Sequence, residues 1–190
     1  MNFKINFAYI FLFLAVFFWA GNFIVGKFAS YYEIPPFSLN FYRWFFAWLI
    51  LLPFTFKEII SKKNYILENY KFYILLGITS VTIFNSIVYY SLNFTQVISG
   101  VLMISTIPVM IMFISSILKI EKTNIFQIFG VICSFIGVIL IITKANFELL
   151  VNLDFNKGDL TMVIAMFSWA TYSALLKKRK HELSQLSLLE

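Results

Sequence analysis

Long apolar stretches alternate with short polar breaks along the whole chain. A helix that crosses a bilayer needs about 20 mostly apolar residues, each rising about 1.5 Å. Six stretches reach or approach that length: Phe7–Phe28, Phe37–Phe54, Phe72–Leu92, Ile98–Leu118, Ile125–Thr143 and Asp159–Leu176. The second begins after the breaker Pro35-Pro36. The first is too long for a signal-peptide core and lacks a small-x-small cleavage site, so it reads as a helix that stays. The pattern predicts an all-α integral membrane protein, a multi-helix bundle with six transmembrane helices.

Composition points the same way. Hydrophobic residues make up 61% of the 190 residues, aromatics 20% and charged residues 13%. A soluble domain is roughly 45–50% apolar and about 25% charged. The excess must face lipid, which excludes disordered, collagenous, nucleic-acid-binding and secreted disulfide classes. The single cysteine, Cys133, has no internal partner and lies within an apolar run, where a small core residue is expected. The single histidine, His181, follows four basic residues and reads as interfacial. One cysteine and one histidine cannot make a zinc site, so neither a metal nor a cofactor is expected.

The net charge of +6 is distributed by side of the membrane. Lys4, Lys57, Lys62, Lys63, Lys71, Lys119, Lys122, Lys177, Lys178, Arg179 and Lys180 fall on one side. Lys27, Lys144 and Lys157 fall on the other. Cytoplasmic loops carry the excess of lysine and arginine. This bias places the N-terminus, and the tail after the sixth helix, in the cytoplasm of a cell bounded by a plasma (bacterial inner) membrane. Arg43 alone lies inside a span.

The chain also repeats itself. Phe17, Trp19, Ala20 and Lys27 recur as Phe167, Trp169, Ala170 and Lys177 at a constant offset of 150. That offset spans five helices, an odd number, so the second copy enters the membrane from the opposite side. Inverted-topology repeats of this kind are a common transporter design. The expected organisation is a first repeat over residues 1–145, an outer loop over 146–158, and the first helix of a second, incomplete repeat with its tail over 159–190.

Particular residues carry a family resemblance. They are Trp19-Ala20 with Asn22, Arg43 with Ala47 and Leu51-Leu52-Pro53, Tyr89 or Tyr90, and Pro108. Glu121, Gln127, Gly130, Gly137-Val138, Gly158-Asp159 and Trp169 follow. In this order they resemble an EamA-type member of the drug/metabolite transporter superfamily. The resemblance covers essentially the whole chain. It implies ten helices in two inverted five-helix repeats, both ends cytoplasmic, and movement of small metabolites such as amino acids. Against that pattern this chain reads as truncated, with about four helices fewer.

Carriers built from inverted repeats place their site near the bilayer midplane. Trp19 and Trp169 both fall near the middle of a core ~30 Å thick. They read either as an aromatic wall for a substrate or as helix packing. Arg43 reads either as a residue hydrogen-bonded to the amides of Asn22 and Asn40 or as an attractor of an anionic group. At a helix centre such a charge costs ~2.5–3.5 kcal/mol on insertion scales. Asn85 and Tyr89, four residues apart, share a helix face and add polar groups. Pro108 lacks an N–H and leaves a carbonyl open, which Thr106, a water or a ligand can satisfy. The expected substrate-binding set is therefore Trp19, Asn22, Arg43, Asn85, Tyr89, Thr106, Pro108 and Trp169.

Two further features read as structural. Gly130, Ser134 and Gly137 form a small-residue stripe that allows close helix approach, within the chain or in a homodimer. Glu121, beside Lys119 and Lys122, reads as an interfacial ion pair. No aspartate or glutamate lies deep in any span, and no catalytic base or metal motif is present, so an enzyme is not expected. The partners expected are the lipid bilayer and a small-molecule substrate, with no nucleic acid. The competing reading is a non-transporting membrane subunit, or a half-carrier that requires a partner.

Overall fold

The structure, a computed structural model, describes residues 7–120, 124–142, 157–178 and 182–189. All regular elements among them are helical. Helix α1 is Phe7–Tyr31 and α2 is Pro36–Ser61. The short α3, Lys63–Glu68, leads into α4, Tyr70–Gly77. Without a break α4 runs into a π-helical segment, Ile78–Asn85, and then into α5, Ser86–Ser91; the three together, Tyr70–Ser91, are called helix three below. Helices α6, Val97–Ile104, and α7, Ile107–Ile117, come next. They are followed by α8, Ile125–Ile142, α9, Lys157–Lys178, and the five-residue α10, Gln185–Leu189.

Among the described residues, four helices are long and apolar enough to cross a membrane: Phe7–Tyr31, Pro36–Ser61, Tyr70–Ser91 and Lys157–Lys178. The fourth apolar stretch, expected as one helix, is two. Pro108 is the cause. It stands in the first turn of α7, where its missing N–H leaves no intrahelical bond unmade. The chain turns through Ser105-Thr106, and the Thr106 hydroxyl donates to the Met103 carbonyl at 2.6 Å. Pro53 is tolerated inside α2, where the Thr55 hydroxyl donates to the Leu51 carbonyl at 3.0 Å. Helix α2 also continues past the expected end at Phe54 to Ser61. The lipid-like run stops there, but the residues that follow are still good helix formers.

Helix α9 is the centre of the bundle. Met162, Ala165, Met166, Ala170 and Ala174 are all fully buried. They pack against α5, the π-helical segment, α6 and α7. Lipid tails are as apolar as leucine, so burying apolar surface between helices gains little in a membrane. Close van der Waals contact and interhelical hydrogen bonds have to hold such a bundle. The alanines of α9 provide the first. The Ser168 hydroxyl, bonded to the Thr79 carbonyl at 2.7 Å, provides one of the second. The main core joins Met162, Ala165 and Met166 to Phe23, Phe84, Val88, Tyr89, Leu92 and Ile107.

The outer surfaces of α1 and α2 expose Phe11, Phe13, Phe18, Phe41 and Phe54, as contact with a lipid bilayer requires. Cys133, expected in a core, is exposed on α8, which packs against α6 and turns this face away from the bundle. On the same helix, added side-chain carbons at Gly130 and Gly137 meet nothing within 4 Å. The small-residue stripe is therefore not filled by another helix among the described residues. Lys4, Glu121, Lys122, Lys144, Arg179, Lys180 and His181 lie outside the described residues, as does most of the loop expected at 146–158.

Candidate functional site

Arg43 is about 10 Å in from the start of α2. Its Nη1 donates to Asn22 Oδ1 on α1 and to the Tyr89 hydroxyl on α5. Its Nη2 donates to Asn85 Oδ1 at 2.7 Å. The Tyr89 hydroxyl in turn donates to Asn22 Oδ1 at 2.6 Å. Asn85 is held in place by a bond from Nδ2 to the Ser80 carbonyl at 2.8 Å. One guanidinium therefore joins three membrane spans. It also lies 5.4 Å from the Trp44 ring and 5.5 Å from the Tyr89 ring, within cation–π reach.

All of these partners are neutral, and no carboxylate pairs with Arg43 among the described residues. A guanidinium has five N–H donors. Three bonds leave two donors for a further acceptor. The positive charge is thus positioned by dipoles but not cancelled.

Asn40 does something other than what its spacing suggested. It shares a helix face with Arg43, yet its Nδ2 donates to the Val81 carbonyl and to Ser86 Oγ, both at 2.9 Å. The amide ties α2 to helix three instead of supporting the guanidinium. The π-helical segment explains why helix three offers these groups. A π turn widens the helix, and such turns occur frequently at functional sites. Here it brings Ser80, Val81 and Asn85 to the face that α2 covers.

Below the arginine cluster lies an aromatic group. The rings of Trp19 and Trp169 are 6.1 Å apart between centroids. Trp169 also meets Phe84 at 4.6 Å and Tyr172 at 5.1 Å. Trp19 is 37% exposed, so part of its face remains free. A cavity of ≈ 1470 Å³ connects the two groups. Trp19, Asn22, Arg43, Asn85, Trp169 and Tyr172 line it at this level. Ile59, Ile66, Tyr73, Leu183 and Leu188 line it toward the far end of α2. There Glu58 accepts hydrogen bonds from the Ser184 backbone N–H at 2.7 Å and from the Ser184 and Ser187 hydroxyls at 2.6 Å. These bonds hold α10 against the wall of the cavity.

The structure thus brings together Trp19, Asn22, Arg43, Asn85 and Trp169 on the cavity wall, with Tyr89 bonded behind them. Thr106 and Pro108 are elsewhere, at the break between α6 and α7, and do not line this cavity. Tyr90 also faces away, with the Lys157 ammonium 5.5 Å from its ring. Sequence reasoning missed Trp44, Trp48 and Tyr172. The signal for Tyr172 was present: it is three residues after Trp169, on the same face, and stands at the offset of 150 from Asn22. Among the described residues no group of three or more His, Cys, Asp or Glu could hold a metal ion.

The EamA-like transporter family model matches residues 6–143. The chain belongs to the EamA-like transporter family. It is 29% identical over 158 residues to the uncharacterized transporter YyaM of Bacillus subtilis, covering 83% of this chain and 52% of that protein. It is 30% identical over 174 residues to an uncharacterized transporter of Archaeoglobus fulgidus, covering 89% of this chain and 58% of the relative. The chain spans about half the length of the curated relatives it matches. No solved structure matches it. Family membership, together with the apolar helices, makes this EamA-like chain an integral membrane protein.

Proposed function

We propose that this chain supplies the substrate-binding part of a membrane transporter that moves a small organic anion, an amino acid or a related carboxylate, across the plasma membrane by alternating access. The observation that carries this reading is Arg43. Its charge is held by Asn22, Asn85 and Tyr89, has no carboxylate partner among the described residues, and borders a cavity with aromatic walls. A buried charge is costly in a membrane and is usually retained for a substrate, an ion path or a partner. An arginine with free donors suits a carboxylate, which can accept two parallel hydrogen bonds from it. The apolar body of the substrate would lie against Trp19 and Trp169. The lysine and arginine bias supports a cytoplasmic N-terminus, and the repeat at an offset of 150 supports two halves of opposite orientation. A binding and moving role, not an enzymatic one, follows from this chemistry, because Arg43 and the amides can bind an anion but cannot act as a general base.

Flux measured in proteoliposomes with the full chain tests the proposal. Small carboxylates are expected to cross faster than amines of the same size. Arg43→Leu is expected to lower carboxylate flux at least ten-fold, in line with ~1.5–3 kcal/mol for hydrogen bonds to a charged group. Equal flux for the wild type and Arg43→Leu, at equal amounts of folded protein, would remove Arg43 from the site. No carboxylate flux at all would favour the non-transporting subunit.

A further inference from the structure

We infer that Lys27, Thr95 and Asp159 form a latch that closes the outer end of the bundle above Arg43, and that the structure is the cytoplasm-facing state of the carrier. The inference rests on the transporter reading above and adds a gate to it. The Lys27 ammonium, near the end of α1, donates to the Leu92 carbonyl at 2.7 Å and to the Thr95 carbonyl at 3.0 Å. These carbonyls follow the last turn of α5, where helical partners run out and a cation is favoured. The Thr95 hydroxyl donates to Asp159 Oδ1 at 2.7 Å, and Asp159 sits in the first turn of α9, where a negative charge is favoured. Beside this contact Ser91 Oγ and Thr161 Oγ1 share a hydrogen bond of 2.8 Å. Three spans are therefore fastened together at one end by polar groups.

The packing just inward is tight. A side-chain carbon added to Gly26 would lie 2.8 Å from the Tyr89 ring and 2.9 Å from Leu92. That close approach lays the Tyr89 ring against α1, with its hydroxyl on Asn22 and Arg43. Tyr89 thus covers the outer side of the arginine cluster, and the latch covers Tyr89. The basic residues Lys57, Lys62, Lys63 and Lys71 stand at the opposite end of the bundle, the cytoplasmic one by charge bias, and the cavity extends toward it.

Two properties suit these contacts to opening. Thr95 takes part in both, through its carbonyl to Lys27 and its hydroxyl to Asp159, and it lies in the short connection between α5 and α6. Movement of this one connecting segment would break the Thr95 contacts to both charged side chains. Once released, they would lie at the membrane surface, where water can solvate them. A purely apolar contact at this place could not part without exposing its whole surface.

Thiol labelling of the full-length chain in oriented vesicles tests the inference, with Cys133 replaced by serine. Met162→Cys reports on the fully buried region under the latch, and Gly77→Cys reports on the cavity. Lys27→Met, Thr95→Val and Asp159→Asn are each expected to raise labelling of Met162→Cys by an impermeant outside reagent roughly ten-fold, and to lower labelling of Gly77→Cys from the cytoplasmic side. Thr95→Ser keeps the hydroxyl and is expected to label like the parent. Labelling that rises at both reporters would make these contacts a structural staple and overturn the latch. Labelling unchanged at both in the three latch variants would overturn it too. Because the readout is accessibility and not flux, the latch can fail while the transport assay succeeds, and the reverse.

Discussion

The two ends of the bundle are built on different terms. At the Lys27 end, α1, α5 and α9 pack closely around Gly26, Tyr89 and Leu92, and the polar contacts there are partly buried. At the Glu58 end a cavity separates α1, α2 and helix three, and the contact across it is a set of exposed hydrogen bonds to a five-residue helix. A membrane provides no hydrophobic drive between helices, so dense packing must do the holding wherever it exists. The contrast teaches that rigidity here is concentrated at one end and that the other is free to change shape.

The largest effect is expected from crowding the packed region. Ala165→Leu places a bulky side chain where no exposure remains, which should cost ~1–3 kcal/mol or more. It should lower the melting temperature in detergent or prevent accumulation of the folded protein. Gly130→Leu, in open space on α8, should not lower the melting temperature. Gly26→Ala comes next. Its new methyl would meet the Tyr89 ring, again at roughly 1–3 kcal/mol, offset in part by the better helix propensity of alanine. Gly77→Ala should do the opposite. Nothing lies within 4 Å of an added carbon there, so the melting temperature should rise by the equivalent of about 0.5–1 kcal/mol. If both glycine variants shift stability in the same direction, the contrast between the ends fails. The smallest effect belongs to Glu58→Gln. It should leave the melting temperature in place yet speed tryptic cleavage near Lys178, because the bonds it weakens are exposed or partly buried and hold only Ser184 and α10.

The spans were legible because lipid imposes a length and a composition on them, and both can be read directly. Arg43 was legible for a related reason: a lone charge inside an apolar stretch stands out. Its partner Asn22 followed from equal depth. Other features were hidden for physical reasons. Depth arithmetic assumes 3.6 residues per turn, but the π-helical segment widens helix three and alters which of its groups meet α2. Spacing along α2 offers Asn40 as one hydrogen-bond partner for Arg43, but Val81 and Ser86 claim its amide. Pro108 announced a break, but the direction in which Thr106 would point depended on α9 and the core around Ile107, which no local pattern encodes. Lys27 entered only as one positive charge on the poorer side. A lysine that reaches into solvent and one that binds helix-end carbonyls look alike in a count.

The contact between Trp19 and Trp169 has one more consequence. These residues also match at the sequence offset of 150, and would hold the same rank if that offset marks a repeat. If a dyad relates the two copies, equivalent points meet only near it, and a molecule lodged there would face surroundings repeated by a two-fold rotation. An asymmetric solute could be told from its end-for-end reversal only where the copies differ. Asn22 and Tyr172 are such a pair, equal in rank, both on the cavity wall and unlike in chemistry. The way round in which a solute lies would then be decided by a broken symmetry at one matched position, while the tryptophans, alike on both sides, remain indifferent to which way it is facing.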